Sequence, residues 1–457
     1  MSKHATTVNP FTEEDIKKYT LLSVEEAERA VDRAHDCFQQ WKLSKISDRQ
    51  QCLENLAKLL DARKASIAQL MTDEMGKVKE QGIMEVATCA EICRYTARQS
   101  VKQIEDEKRS VDEGEALITY RPLGVILGIQ PWNFPLYQVI RYSAVTIAAG
   151  NTTVLKHAAN VFGMAQLIEK LFEEAGFPKY ALQSLLIDGK TASQLIEHRH
   201  IQGVTFTGSD ETGKKVASIA ASQAKKSVLE LGSNDAYLVL DDADVKLAVE
   251  TCTQARVINN GQTCVSAKRF IVTERNYQTF KEGLKGAMSQ LKVGDPNLKE
   301  TDIGPMARKD LRDKLADQVK ASIDKGAVPV LGCEIPEQPG YFYPPSILEN
   351  VTAGMPAYDD ELFGPVAALI KVKDDEEAIK VANDSRYGLG GGIFSQNTAK
   401  ALELAKYHFD TGMVNINGYG LAHPNLPFGG VKDSGYGREH GGAGILEFVN
   451  QKSIMLA

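Results

Sequence analysis

The chain has 457 residues, 25% of them charged and 43% in the broad hydrophobic class, enough apolar side chain for two or three compact units. A formal charge of -7 with a pI near 5.8 leaves no dominant cationic field for a nucleic-acid partner, and the composition is not that of a disordered or fibrous chain. Seven cysteines, an odd number spread along the sequence, argue against a secreted disulfide scaffold. The opening MSKHATTVNP lacks the apolar core of a secretory signal, and the longest apolar stretches stop well short of a membrane span. A cytoplasmic protein with no membrane or nucleic-acid partner is expected.

Residues 24 to 98 place apolar side chains at three- and four-residue spacing, as in VEEAERAVDRAHDCFQQW, and read as a helical region. Cys89 and Cys93 share a helical face there, but no histidine or further cysteine lies near enough to complete a metal set, so helix packing is expected. ALITY and GVILGI then read as strands separated by the turn-compatible RPLG. From VTIAAGNTTVLKHAAN through VFGMAQLIEKLFEEAG, YALQSLLI and QLIEHRH to IQGVTFTGS and ETGKKVASIAASQAKK, helix and strand cues alternate. That rhythm predicts a mostly parallel sheet with helices on both faces. A second cycle starts near residue 233 with DAYLVLDD and continues through KRFIVT, KGAVPVLG, PVAALIKV, EEAIKVAND, GGIFS and AKALELAKYHF, which predicts a second α/β unit. The glycine-rich FGGVKDSGYGREHGGAGI reads as a loop of close backbone approaches. The strand-like EFVNQKSIML tail follows, and with ALITY it is a candidate for pairing across subunits, a plain edge strand being the alternative.

Two residues carry the chemistry. Glu230 precedes a glycine turn in VLELGSNDAYLV, and Cys264 follows Gly261 in NNGQTCVSAKRF. Taken alone, a cysteine is commonly structural and a glutamate commonly exposed. The ordered series PWNFP (131–135), FTGS (206–209), LELG (229–232), GQTC (261–264), ELFGP (361–365) and PFGG (427–430) resembles the aldehyde dehydrogenase superfamily over nearly the whole chain. YRPLG, VLKHA, NGQTC and NINGY make the likeness greatest to the short bacterial succinate-semialdehyde dehydrogenases.

The resemblance implies an α/β fold with a Rossmann-type cofactor domain (1–103 and 123–232), an α/β catalytic domain (233–434) and a small β oligomerisation element (104–122 and 435–457). It implies Cys264 as nucleophile, Asn133 as oxyanion donor with the Cys264 N–H, and Glu230 as general base for deacylation by water. Cofactor contacts follow the same likeness. Gly208, Ser209 and Gly213 correspond to a strand-to-helix junction facing pyrophosphate, Lys156 to an adenosine-ribose contact and Glu361 to a nicotinamide-ribose contact, with Leu231 and Phe363 beside the cofactor. Ala159 stands where NAD-preferring members often carry a glutamate, so NADP is expected as cofactor, with NAD also used. Ser233 replaces the second glycine of the common LELGG and is expected to constrain the loop of Glu230 or to crowd the nicotinamide. No metal is called for.

For the substrate, the resemblance points to succinate semialdehyde, a small aldehyde bearing a carboxylate. Arg141 is expected to face the acyl tunnel and hold that carboxylate, with Trp132, Tyr419, Phe428 and His423 as further walls. Ala422 occupies a place where related enzymes put a serine, which keeps glutarate semialdehyde and broad short aliphatic aldehydes open. Coenzyme A transfer and a non-enzymatic NADP-binding role are the remaining alternatives, both disfavoured by the Asn133, Glu230 and Cys264 set. A homodimer or homotetramer is expected.

Overall fold

The computed structural model describes residues 3–420 and 422–456. Six strands form one sheet in the order Gly435–Tyr436, Lys226–Glu230, Ile201–Thr207, Val125–Gln130, Thr152–His157, Leu182–Ser184, all parallel except the first. Seven strands form the second, in the order Val328–Leu331, Ser346–Glu349, Val366–Val372, Arg269–Thr273, Ala236–Val239, Gly391–Phe394, Asn415–Ile416, with only Val328–Leu331 antiparallel. Central strands such as Val125–Gln130 and Ala236–Val239 are buried on both faces, which is why they read as unbroken apolar runs without alternation. The two α/β cycles of the sequence are therefore two sheets.

The helical region resolves into Val24–Trp41, Ile46–Met75 and Lys79–Arg98. Ser23 and Glu26 close a capping box on the first helix. The second ends at Gly76, whose φ of 73° and contact with the Pro305 carbonyl leave no room for a side chain. Cys89 and Cys93 are both buried in the core shared by these helices and Tyr137–Ala148. Every residue of that last helix is buried, and its first turn is capped from outside by Glu85, which accepts the N–H groups of Leu136 and Tyr137 at 3.0 and 2.9 Å.

Two features depart from the sequence reading. His4–Val8 and Asp15–Thr20 pair as an antiparallel hairpin in a stretch that reads as polar and helix-compatible, because its strands are short and largely exposed and show no apolar alternation. Gly435–Tyr436, expected with the oligomerisation element, instead pairs with Leu229 and Glu230 at the edge of the six-stranded sheet. The tail strand Val449–Leu456 pairs along its whole length with Glu115–Pro122 of the same chain, and Glu107–Arg109 completes a three-stranded antiparallel sheet. The other edge of the tail is open and carries the exposed Ile454, Met455 and Leu456. Among the described residues no helix is long and apolar enough to cross a membrane.

Candidate active site

Helix Val245–Val257 runs into a loop whose backbone is left-handed at three successive residues, Asn259 (φ 55°), Asn260 (φ 56°) and Gly261 (φ 74°). Asparagine tolerates that region better than other side chains, and at Gly261 any Cβ would lie 2.3 Å from the Gly364 carbonyl carbon. The conformation is held by side chains. Asn259 Nδ2 donates to the Asn133 and Gln262 carbonyls at 2.7 and 3.1 Å. Asn260 Nδ2 donates to the Gly76 and Pro305 carbonyls at 3.0 and 2.9 Å, while its Oδ1 accepts the Gly304 N–H at 2.7 Å. The buried Arg256 guanidinium donates to the Gly261 carbonyl at 2.7 Å. Cys264 closes this loop.

Two cavities meet at Cys264. A narrow, mainly apolar tunnel of about 80 Å³ is lined by Phe134, Tyr137, Val265, Ala422 and Phe428 and by the Lys79–Arg98 helix. A cleft of about 500 Å³ is lined by Trp132, Asn133, Gly208, Ser209, Leu231, Glu361 and Phe363. Cys264 and Gln138 are the residues common to both. Asn133 donates one amide N–H to the Gln262 carbonyl at 3.1 Å and accepts from Gln138 at 3.3 Å. Its second N–H is taken by no acceptor among the described residues and is available to the cleft. Burial pushes the Cys264 thiol up to about 12, against the pull of Arg141 and Lys268.

Lys268 is a buried cation gathered around the same peptides. It donates to the Cys264 carbonyl at 2.6 Å, the Ser233 hydroxyl at 2.9 Å and the Thr263 carbonyl at 3.1 Å, and stands 3.3 Å from Glu361 Oε1. The Thr263 carbonyl belongs to the peptide whose N–H is that of Cys264, so the lysine polarises that donor. Ser233 also donates to the Cys264 carbonyl. It does not line the cleft, so the extra hydroxyl is spent on the nucleophile's backbone and does not crowd the cofactor side.

Glu230 ends strand Lys226–Glu230 and lines neither cavity. Both carboxylate oxygens are buried without a hydrogen bond, and Oε1 lies where a side chain on Gly429 would be, 2.8 Å from an ideal Cβ. Burial pushes its carboxyl well above the usual carboxylate range, opposed by Arg141 and reinforced by Glu439.

The substrate residues separate. Phe428 lines the tunnel, but Arg141 stands behind it, its guanidinium 4.4 Å from the Phe428 ring, paired with Glu439 and donating to Thr207 Oγ1 at 3.1 Å. Sequence placed Arg141 on the correct helix; the buried Glu439, from the glycine-rich loop, draws it away from the tunnel. Trp132 belongs to the cleft, edge-on to Phe363 at 5.8 Å. Tyr419 packs on the core of the seven-stranded sheet beside Tyr237, and the exposed His423 bonds to Asn425, so neither lines the tunnel. Sequence reasoning missed Lys77, a buried tunnel-lining cation paired with Glu85 and 3.8 Å above the Phe134 ring. It also missed Asn259, Asn260 and Lys268; the NNG triplet before QTC was the available sign of a left-handed turn.

On the cofactor side, helix Asp210–Ser222 begins at Ser209 without a side-chain cap, leaving its first N–H groups to the cleft. Gly213 lies under Leu231, where a Cβ would come within 2.3 Å of its methyl. Glu361 lines the cleft with its Oε1 buried 3.3 Å from Lys268 Nζ, which fixes the carboxylate on the cofactor side. Lys156 and Ala159 lie outside the cleft lining, on Thr152–His157 and the turn after it, and Ala159 is exposed. The residues present fit a nicotinamide dinucleotide.

Known proteins resemble this chain over nearly its whole length. Residues 1–454 match the model of the aldehyde dehydrogenase family. A protein of Synechocystis sp. named "Probable succinate-semialdehyde dehydrogenase [NADP(+)]" is 44% identical over 451 residues, 99% of either chain. The succinate semialdehyde dehydrogenase [NAD(P)+] of Escherichia coli is 42% identical over 99% of this chain and 97% of its own. The crystal structure of succinic semialdehyde dehydrogenase from Streptococcus pyogenes in complex with NADP+ superposes with a TM-score of 0.96 at 38% identity, covering 99% of both chains. By sequence, fold and the cavities that converge on its cysteine, the chain belongs to the aldehyde dehydrogenase family.

Proposed function

We propose that this enzyme oxidises succinate semialdehyde to succinate with NADP, and also with NAD. The observation that carries the reading is Cys264 at the meeting point of tunnel and cleft, with the Asn133 amide beside it. The relatives named for this reaction support the substrate. The exposed Ala159, where a carboxylate would repel a 2'-phosphate, supports NADP.

Cys264 loses its proton to solvent water and attacks the aldehyde carbon as thiolate; the C–S bond forms as the carbonyl π pair moves onto oxygen, giving a thiohemiacetal oxyanion. Asn133 Nδ2 and the Cys264 N–H donate to that oxygen, the second strengthened by Lys268 on the same peptide. When bound, the nicotinamide supplies the hydride acceptor. Glu361 and the uncapped N-terminus of Asp210–Ser222, both on the cleft, would hold the nicotinamide ribose and the pyrophosphate. Hydride loss leaves a thioester on Cys264, and Glu230, turned out of its pocket beside Gly429, takes the proton of the hydrolytic water. The tail edge Val449–Leu456 is the proposed contact of a homodimer or homotetramer in the cytoplasm.

A specific observation favours a second reading, oxidation of neutral short aldehydes: Arg141 is paired behind the wall and Ala422 is on it. Succinate semialdehyde, glutarate semialdehyde and neutral aldehydes assayed with both cofactors decide. The highest kcat/KM is expected for succinate semialdehyde with NADP. An equal or higher value for a neutral aldehyde establishes the second reading, and a requirement for coenzyme A overturns hydrolysis.

A further inference from the structure

Far from Cys264 in the sequence and lining neither of its cavities, three side chains converge on the surface of the six-stranded sheet's helical layer. Asp32 comes from helix Val24–Trp41, and His198 and His200 from the turn between Gly189–Ile196 and Ile201–Thr207. Asp32 Oδ1 lies 3.0 Å from His200 Nδ1 and 3.7 Å from His198 Nε2, and one ligand atom from each residue falls within 4.8 Å of the others. Donors about 2.0–2.1 Å from a tetrahedral ion are about 3.3 Å apart, so the two separations from Asp32 bracket that value, and the histidines need only a side-chain adjustment to complete the set.

The group is also held in place. His35, one turn along the helix from Asp32, stacks on His200 with ring centroids 3.8 Å apart and planes 7° from parallel. Lys225 donates to the Ile196 and His198 carbonyls at 2.6 and 2.7 Å and fixes the turn. The His200 backbone N–H now donates to His198 Nδ1 at 3.3 Å, and metal binding at Nε2 replaces that long bond.

We propose that Asp32, His198 and His200 bind one divalent first-row transition ion, with Zn²⁺ the best match to two imidazoles, one carboxylate and an open fourth position. The ion ties helix Val24–Trp41 to the turn that launches strand Ile201–Thr207, so it stabilises the cofactor side without entering the chemistry. The test titrates the full chain with Zn²⁺ by calorimetry and with Co²⁺ by visible absorption, which separates nitrogen and oxygen ligands from thiolates. The wild-type chain is expected to take up one ion more than the His198→Gln/His200→Gln protein and to melt higher with Zn²⁺ present. The single Asp32→Asn protein, changed at a half-exposed position, is expected to weaken binding more than about tenfold while keeping its circular dichroism spectrum. Equal stoichiometry and equal melting shifts in all three, or a Co²⁺ spectrum of thiolate type only, overturns the site.

Discussion

Cys264 and Glu230, the proposed nucleophile and base, are held in opposite ways. The loop that presents Cys264 is pinned by Asn259, Asn260, Arg256, Ser233 and Lys268, whereas the Glu230 carboxylate has no hydrogen bond at either oxygen. A pinned loop keeps a three-residue left-handed backbone and aims a backbone N–H, which is the preorganisation an oxyanion needs. A buried carboxyl without a partner is held neutral where it rests, so its ionised form gains from reaching water. Fixed donors and a base that ionises only on reaching water suit a reaction whose first half needs the donors and whose second half needs the base.

The contrast is broken most severely at the base. Glu230→Gln is expected to keep the rapid first burst of reduced cofactor and to lower steady-state turnover by about 100- to 10,000-fold; unchanged turnover removes Glu230 from deacylation. Asn133→Ala takes away the side-chain oxyanion donor and should lower kcat by about 100- to 1,000-fold with both burst and turnover affected. The thiol itself gives a pH test. With burial pushing its pKa up to about 12, alkylation of Cys264 by iodoacetamide in the cofactor-free protein should climb roughly tenfold per pH unit from 7 to 10. A plateau near pH 8 would show an ionised thiolate already present. On the pinned side, Asn260→Ala removes three buried hydrogen bonds and should cost about 3 kcal/mol in urea unfolding. Ser233→Gly restores the commoner glycine and loses the hydroxyl between Lys268 and the Cys264 carbonyl; a loss of about 1 kcal/mol with NADP KM unchanged is expected, and a lowered KM would mean that Ser233 does crowd the cofactor.

Much of the architecture was legible because apolar runs in parallel strands and three- and four-residue spacing in helices are local signals. The hairpin of residues 4–20 was not, since exposed edge strands bury too little to leave a pattern. For the site, ordered motifs pointed to Cys264, Asn133 and Glu230; the cavities meet at Cys264, Asn133 lines the cleft alone and Glu230 lines neither. Arg141 shows the limit. Helical spacing gives the face on which an arginine starts, but a carboxylate from residue 439, nearly 300 positions away, decides where its guanidinium ends. Lys268 shows the same limit in reverse: it reads as an ordinary strand-edge cation until Ser233 and the Cys264 loop fold around it.

Tunnel and cleft share only Gln138 and Cys264 among the described residues, so on the proposed reading aldehyde and dinucleotide would reach the thiol through different cavities. An occupied cleft then leaves the rest of the tunnel lining uncovered. Order in the kinetic scheme, where it exists, must then come from what each ligand does to the thiol and to Glu230, not from traffic through a common entrance.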